Sequence, residues 1–152
     1  MPMNTENLSQ SIAVVTHITP AAARAASSYV SPAIDAGMYA RLLALLQTGT
    51  LAGAATVNIR FQHCSGSASS DANWADISSA SCISSAFASG SNDKIGELEL
   101  RIDQNPSTSQ YVRVLVSAAT STWIGGAIVL GEPRFTPATV VDSADVVQTV
   151  VY

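Results

Sequence analysis

The sequence predicts an all-β protein: an antiparallel β-sandwich of jelly-roll type with extended N- and C-terminal arms. Two observations carry this reading. Glu97-Leu98-Glu99-Leu100-Arg101-Ile102-Asp103 alternates charged and aliphatic residues without error, the two-residue period of a half-buried strand. After the polar loop 104–110, Tyr111-Val112-Arg113-Val114-Leu115-Val116-Ser117 is a second β-prone run. Asn105-Pro106-Ser107 supplies turn chemistry between them, so the pair reads as a hairpin with one buried face. Further strand-like runs recur along the chain between Gly, Ser and Pro turns, the spacing of a sandwich.

The elements follow in order. Residues 1–28 read as an arm. Ile12-Ala13-Val14-Val15 has strand character, Thr19-Pro20 is expected to stop it, and 21–26 is alanine-rich enough for a helical turn or two. Residues 29–134 form the sandwich domain. Tyr29-Val30-Ser31-Pro32-Ala33-Ile34-Asp35 reads as an edge strand, since Pro32 cannot donate to a ladder. Segment 38–47 fits either a short helix, with Met38, Leu42, Leu45 and Leu46 on one face, or a strand buried on both faces. The strand is preferred, because no N-cap residue precedes the run and Thr48-Gly49-Thr50 ends it.

Residues 56–64 alternate, with Val57, Ile59 and Phe61 opposite Asn58, Arg60 and Gln62. Trp74-Ala75-Asp76-Ile77 is extended, and 78–91 is a serine-rich stretch with a strand fragment at Cys82-Ile83. Ala127-Ile128-Val129-Leu130 reads as a buried central strand ended by Gly131-Glu132-Pro133. Residues 135–152 form a C-terminal arm whose Val146–Tyr152 portion is strongly β-prone and must pair somewhere.

Composition excludes several function classes. The chain has 152 residues, one domain's worth, with a formal charge of −4 and seven basic residues, too few for a phosphate-tracking patch. No apolar run approaches the ~18 residues of a membrane span. The N-terminus lacks the basic region and apolar core of a signal peptide, so synthesis in a cytoplasm without the usual export is expected. Charged residues are only 12% of the chain and hydrophobic ones 47%, which suits a surface packed against copies of itself or a partner.

No set of residues makes a convincing active site. Adjacent strand residues His63 and Cys64 face opposite ways, so they are not a nucleophile pair. His17 lies in the arm, without a sequence partner. Glu97, Glu99 and Asp103 share one strand face with Arg101, which reads as a solvated face rather than paired acid–base carboxylates. Asp71-Ala72-Asn73 and Ser91-Asn92-Asp93 lack the ligand count of a calcium loop. Cys64 and Cys82 are too few for a metal site, and in a reducing cytoplasm two buried thiols are favoured over a disulfide. Trp74 and Trp123 either fill the core or a subunit seam, or stack on sugars. The chain is therefore expected to be no enzyme and to carry no catalytic residue, cofactor or metal.

The succession of Tyr29 to Asp35, Met38 to Thr50, Thr56 to Ser65 (Thr-Val-Asn-Ile-Arg-Phe-Gln-His-Cys-Ser), Asn73 to Ile77, Tyr111 to Val116 and Ala127 to Gly131 resembles a family of small bacteriophage head proteins. These are β-sandwich or jelly-roll virion proteins of tailed phages and prophages, among them capsid decoration (cement) proteins and bases of head spikes. The resemblance covers roughly residues 29–131 and carries no functional residue. It implies a structural virion protein on the capsid surface that stabilises contacts between major capsid subunits. The implied partners are the major capsid protein and further copies of the chain, with a trimer as one such assembly, and neither nucleic acid nor membrane. The alternative is a receptor- or carbohydrate-binding module of a head spike or tail tip.

Overall fold

A computed structural model describes residues 11–52, 56–64, 67–68, 70–77, 87, 92–104, 109–119 and 123–134. Among these residues nine strands make up two antiparallel sheets. The first has the order β1-β9-β4-β7, from β1 (Ala13–Arg24), β9 (Trp123–Pro133), β4 (Tyr39–Leu51) and β7 (Lys94–Arg101). The second has the order β2-β8-β5-β6, from β2 (Ser28–Val30), β8 (Tyr111–Ala118), β5 (Val57–Cys64) and β6 (Trp74–Asp76). The short β3 (Ile34–Asp35) also pairs with β8. One apolar core lies between the sheets. Leu42, Ala44, Leu46, Leu98, Leu100, Ala127 and Val129 enter it from the first sheet, and Val57, Ile59, Phe61, Val112, Val114 and Val116 from the second. The expected all-β sandwich is the architecture found.

The expected hairpin is not. β7 and β8 lie in different sheets, β7 on β4 and β8 between β5 and the short strands β2 and β3. Alternation determined which face of each strand is buried, and that part holds: Leu98 and Leu100 look into the core from one side, Val112, Val114 and Val116 from the other. A two-residue period says nothing about the partner strand. Most connections here cross between the sheets, and β5–β6 is the one consecutive pair bonded to each other among the described residues.

β1 corrects a second expectation. Residues 13–24 are no arm and no helical turn; they form the outer strand of the first sheet, running straight through Thr19-Pro20. Register shifts at Val15 and at Thr19-Pro20 make this possible. The first lets Val15 and Thr16 both turn inward while Val14 and His17 face out, which scrambles the alternation. The second accommodates a proline on a strand at the sheet's edge, where no ladder bond is lost. Likewise, 29–35 is two short strands broken at Ser31–Ala33, where the Ser31 hydroxyl accepts from the Val114 N–H at 3.0 Å. Segment 39–51 is the preferred strand, yet it is buried on one face only, with Leu43 and Leu45 partly exposed. β9 is central as expected and runs on to Pro133, but it is buried on one face only: Ile128 is exposed and Leu130 partly so. Cys82, the fragment at 82–83, residues 1–10 and 135–152 lie outside the described residues.

Tyr39 starts β4 with its ring over Gly131, where a Cβ would lie 2.5 Å from ring Cδ1. Its hydroxyl is buried and has no hydrogen-bond partner among the described residues. Burial first, and the Asp35 charge second, push the phenol's pKa up. Replacing it with phenylalanine removes a desolvated polar group, so Tyr39→Phe is expected to stabilise the fold by up to about 1 kcal/mol. Above about pH 10 the unfolded phenol ionises before the folded one, so wild-type stability falls there. Urea denaturation at pH 7 and pH 10.5 should therefore show the variant's advantage widening with pH.

Candidate functional site

The two outer faces of the sandwich differ sharply. On the second sheet a continuous polar chain crosses three strands. Asp71 accepts from Arg113 Nη1 at 2.7 Å, and Arg113 Nε donates to Gln62 Oε1 at 2.9 Å. Gln62 Nε2 donates to Asp76 Oδ1 at 2.8 Å, Arg60 Nη1 donates to Asp76 Oδ2 at 2.7 Å, and Arg60 Nη2 donates to Ser117 Oγ at 3.1 Å. The register creates this chain, because Gln62 sits opposite Arg113 on one side and Asp76 on the other. Trp74 closes it, with the Arg113 guanidinium 4.4 Å from its ring centre. Burial pulls the Asp76 carboxyl up, but the bonds from Gln62 and Arg60 and the Arg60 charge outweigh it and hold its pKa down. That contribution to stability is present above about pH 4 and is lost as pH falls further.

Several residues raised by the sequence are tied into the scaffold. His63 Nδ1 lies 2.7 Å from the hydroxyl of buried Ser109, while Cys64 is buried on the opposite face beside Trp74 and Tyr111. Asp71 serves Arg113, and Asn73 Nδ2 donates to the Ser67 carbonyl at 3.0 Å. Asn92 Oδ1 accepts from the Leu51 N–H at 2.8 Å, and Asp93, at φ 55°, turns the chain into β7. Among the described residues no group of three or more His, Cys, Asp or Glu could hold a metal. One face of Trp74 is occupied by Arg113, which leaves less of that ring for a sugar. Glu97 and Glu99 are exposed as expected; Glu99 lies 3.8 Å from Arg41, and Asp103 takes Arg101 at 2.8 Å. Such exposed pairs add little stability.

The outer face of the first sheet is apolar at its centre. Cross-strand rows place Val14, Leu130, Leu43 and Glu99 together, then His17, Ile128, Leu45 and Glu97, then Gly126, Gln47 and Ile95. Of the five exposed large hydrophobic side chains among the described residues, Ile12, Ile95 and Ile128 belong to this surface. A trough of about 510 Å³ runs past Pro20, Ala21, Gly49, Gly125 and Gly126, and a second hollow of about 370 Å³ lies by Ile12 and Leu43. Glu97 and Glu99 line the β7 margin of this face, and further charges gather at one end, around Arg41, Arg101, Asp103, Glu132 and Arg134.

Sequence reasoning missed this face. The signal was present in the unbroken run Leu42 to Leu46, whose two parities are both apolar, but double burial explained it equally well.

The chain also enters and leaves the first sheet at one place. Ala13, the first residue of β1, pairs with Gly131 near the end of β9, so β1 begins at the end of the sheet where β9 finishes. No protein-family model matches the chain, and no curated protein matches it in sequence.

Proposed function

We propose that this protein is a structural component of a bacteriophage virion that decorates the capsid and stabilises contacts between major capsid subunits. The observation that carries the reading is the common exit of both terminal segments from one end of the first sheet. Two tethers rooted at the same end of one sheet can reach one seam together, and linked weak contacts reinforce each other. The rest of the molecule supports a passive role. Its buried and paired polar groups brace a rigid sandwich, and its low charge leaves an apolar sheet face suited to assembly. The major capsid protein and further copies of the chain are the partners this role requires.

Because 13–24 belongs to the sheet, the arms to test are 1–12 and 135–152. Deleting either is expected to abolish co-sedimentation with capsids while circular dichroism retains the strand signal. If both truncated forms still decorate capsids at full occupancy, the tether mechanism is wrong.

A further inference from the structure

We infer that the outer face of the first sheet docks a second copy of this chain about a two-fold axis. The surface carries both halves of such a contact. Ile95 and Ile128 stand out from it, 65% and 48% exposed, beside the trough that Gly49, Gly125, Gly126 and Ala21 leave by having little or no side chain. Knob and hollow on one patch are what an isologous contact needs, each copy filling its partner's trough with its own isoleucines. A head-to-tail contact would instead need them on separate surfaces.

Area and charge point the same way. Four strands about 4.8 Å apart and about 35 Å long present roughly 700 Å² per copy, close to the ~800 Å² of a standard stable interface. The apolar centre and charged end follow the core-and-rim pattern of such interfaces. Three cations (Arg41, Arg101, Arg134) share that end with Glu99, Asp103 and Glu132, and Arg41 lies 3.8 Å from Glu99 and 3.4 Å from Glu132. Glu97, also on this face, leaves it one anion in excess of its cations, so the charge is close to balance and repels a second copy only weakly. Face packing is also favoured over edge pairing. Two β7 strands paired near their middles would set Glu97 against Glu97 or Glu99, which like-charge repulsion disfavours.

The inference goes beyond capsid binding, and the two are read by separate assays. Sedimentation velocity on the full chain, over a hundredfold concentration range, is expected to show a dimer. Ile128→Lys and Ile95→Lys are each expected to weaken it at least tenfold with an unchanged circular dichroism spectrum. Ile95 is on a strand at the sheet's edge and mostly exposed, so its variant folds even where a lysine at 128 is not tolerated. Val30→Lys, on the other sheet at 45% exposure, should leave the dimer intact. A monomer at the highest concentration, a trimer, or a dimer indifferent to both isoleucine variants would overturn the inference.

Discussion

Gly126→Val is expected to destabilise the protein by about 3 kcal/mol, toward the upper end of what overpacking costs. Strand propensity alone points the other way, since valine is favoured over glycine in a strand by up to about 1 kcal/mol. Close approach decides the sign. A Cβ at Gly126 would lie 2.6 Å from the Ile18 carbonyl oxygen and 2.9 Å from the Pro20 backbone. Those are main-chain atoms, so no side chain can swing aside. Neighbouring Gly125 sits at φ 152°, a conformation that other residues rarely adopt. The glycine pair is thus what allows β1 to carry Thr19-Pro20 across β9. In the variant, hydrogen exchange should speed up most in residues 18–24, while β5 and β8 keep their protection. A neutral or stabilising Gly126→Val would mean that β1 does not pass there.

The second large effect concerns Arg113. Arg113→Ala is expected to cost about 3 kcal/mol, because it strips packing from Trp74 and leaves the buried Gln62 amide oxygen without its donor. Its ion-pair partner should matter less. The Asp71 side chain is 89% exposed against 10% for Arg113, so water can replace the carboxylate, and Asp71→Ala is expected to cost about 1 kcal/mol. Urea midpoints of the two variants test the asymmetry. Equal losses would show that the ion pair itself, not the arginine's packing and its bond to Gln62, holds this face together.

Much of the sandwich was legible because a half-buried strand writes its period into the sequence. Residues 57–61 and 97–101 were read with the correct buried face for that reason. Partnership was not legible. Nothing in the polar linker 104–110 distinguishes a hairpin from a crossing between sheets, and here the chain crosses. Ile12–Val15 was read as strand-like, but the rest of β1 was missed because its bulges at Val15 and Thr19-Pro20 break the period, and because the glycines that admit Pro20 lie over a hundred residues away. The polar chain from Asp71 to Arg60 had the same obstacle. Its members sit on three strands and the turn before β6, and the sequence does not state their register. The apolar outer face was half legible: the leucine run announced unusual burial, but a strand covered by a second molecule reads like one buried within its own fold.

Under the proposed function, this chain is bound to the outside of a phage capsid by its two terminal segments. Cryo-electron microscopy of particles assembled with the full chain tests it most directly. The account predicts density for the sandwich above the seams between major capsid subunits, with residues 1–12 and 135–152 in contact with the shell. Particles whose shells carry no such density, or sandwiches held to them by the second sheet with both terminal segments pointing away, would contradict it.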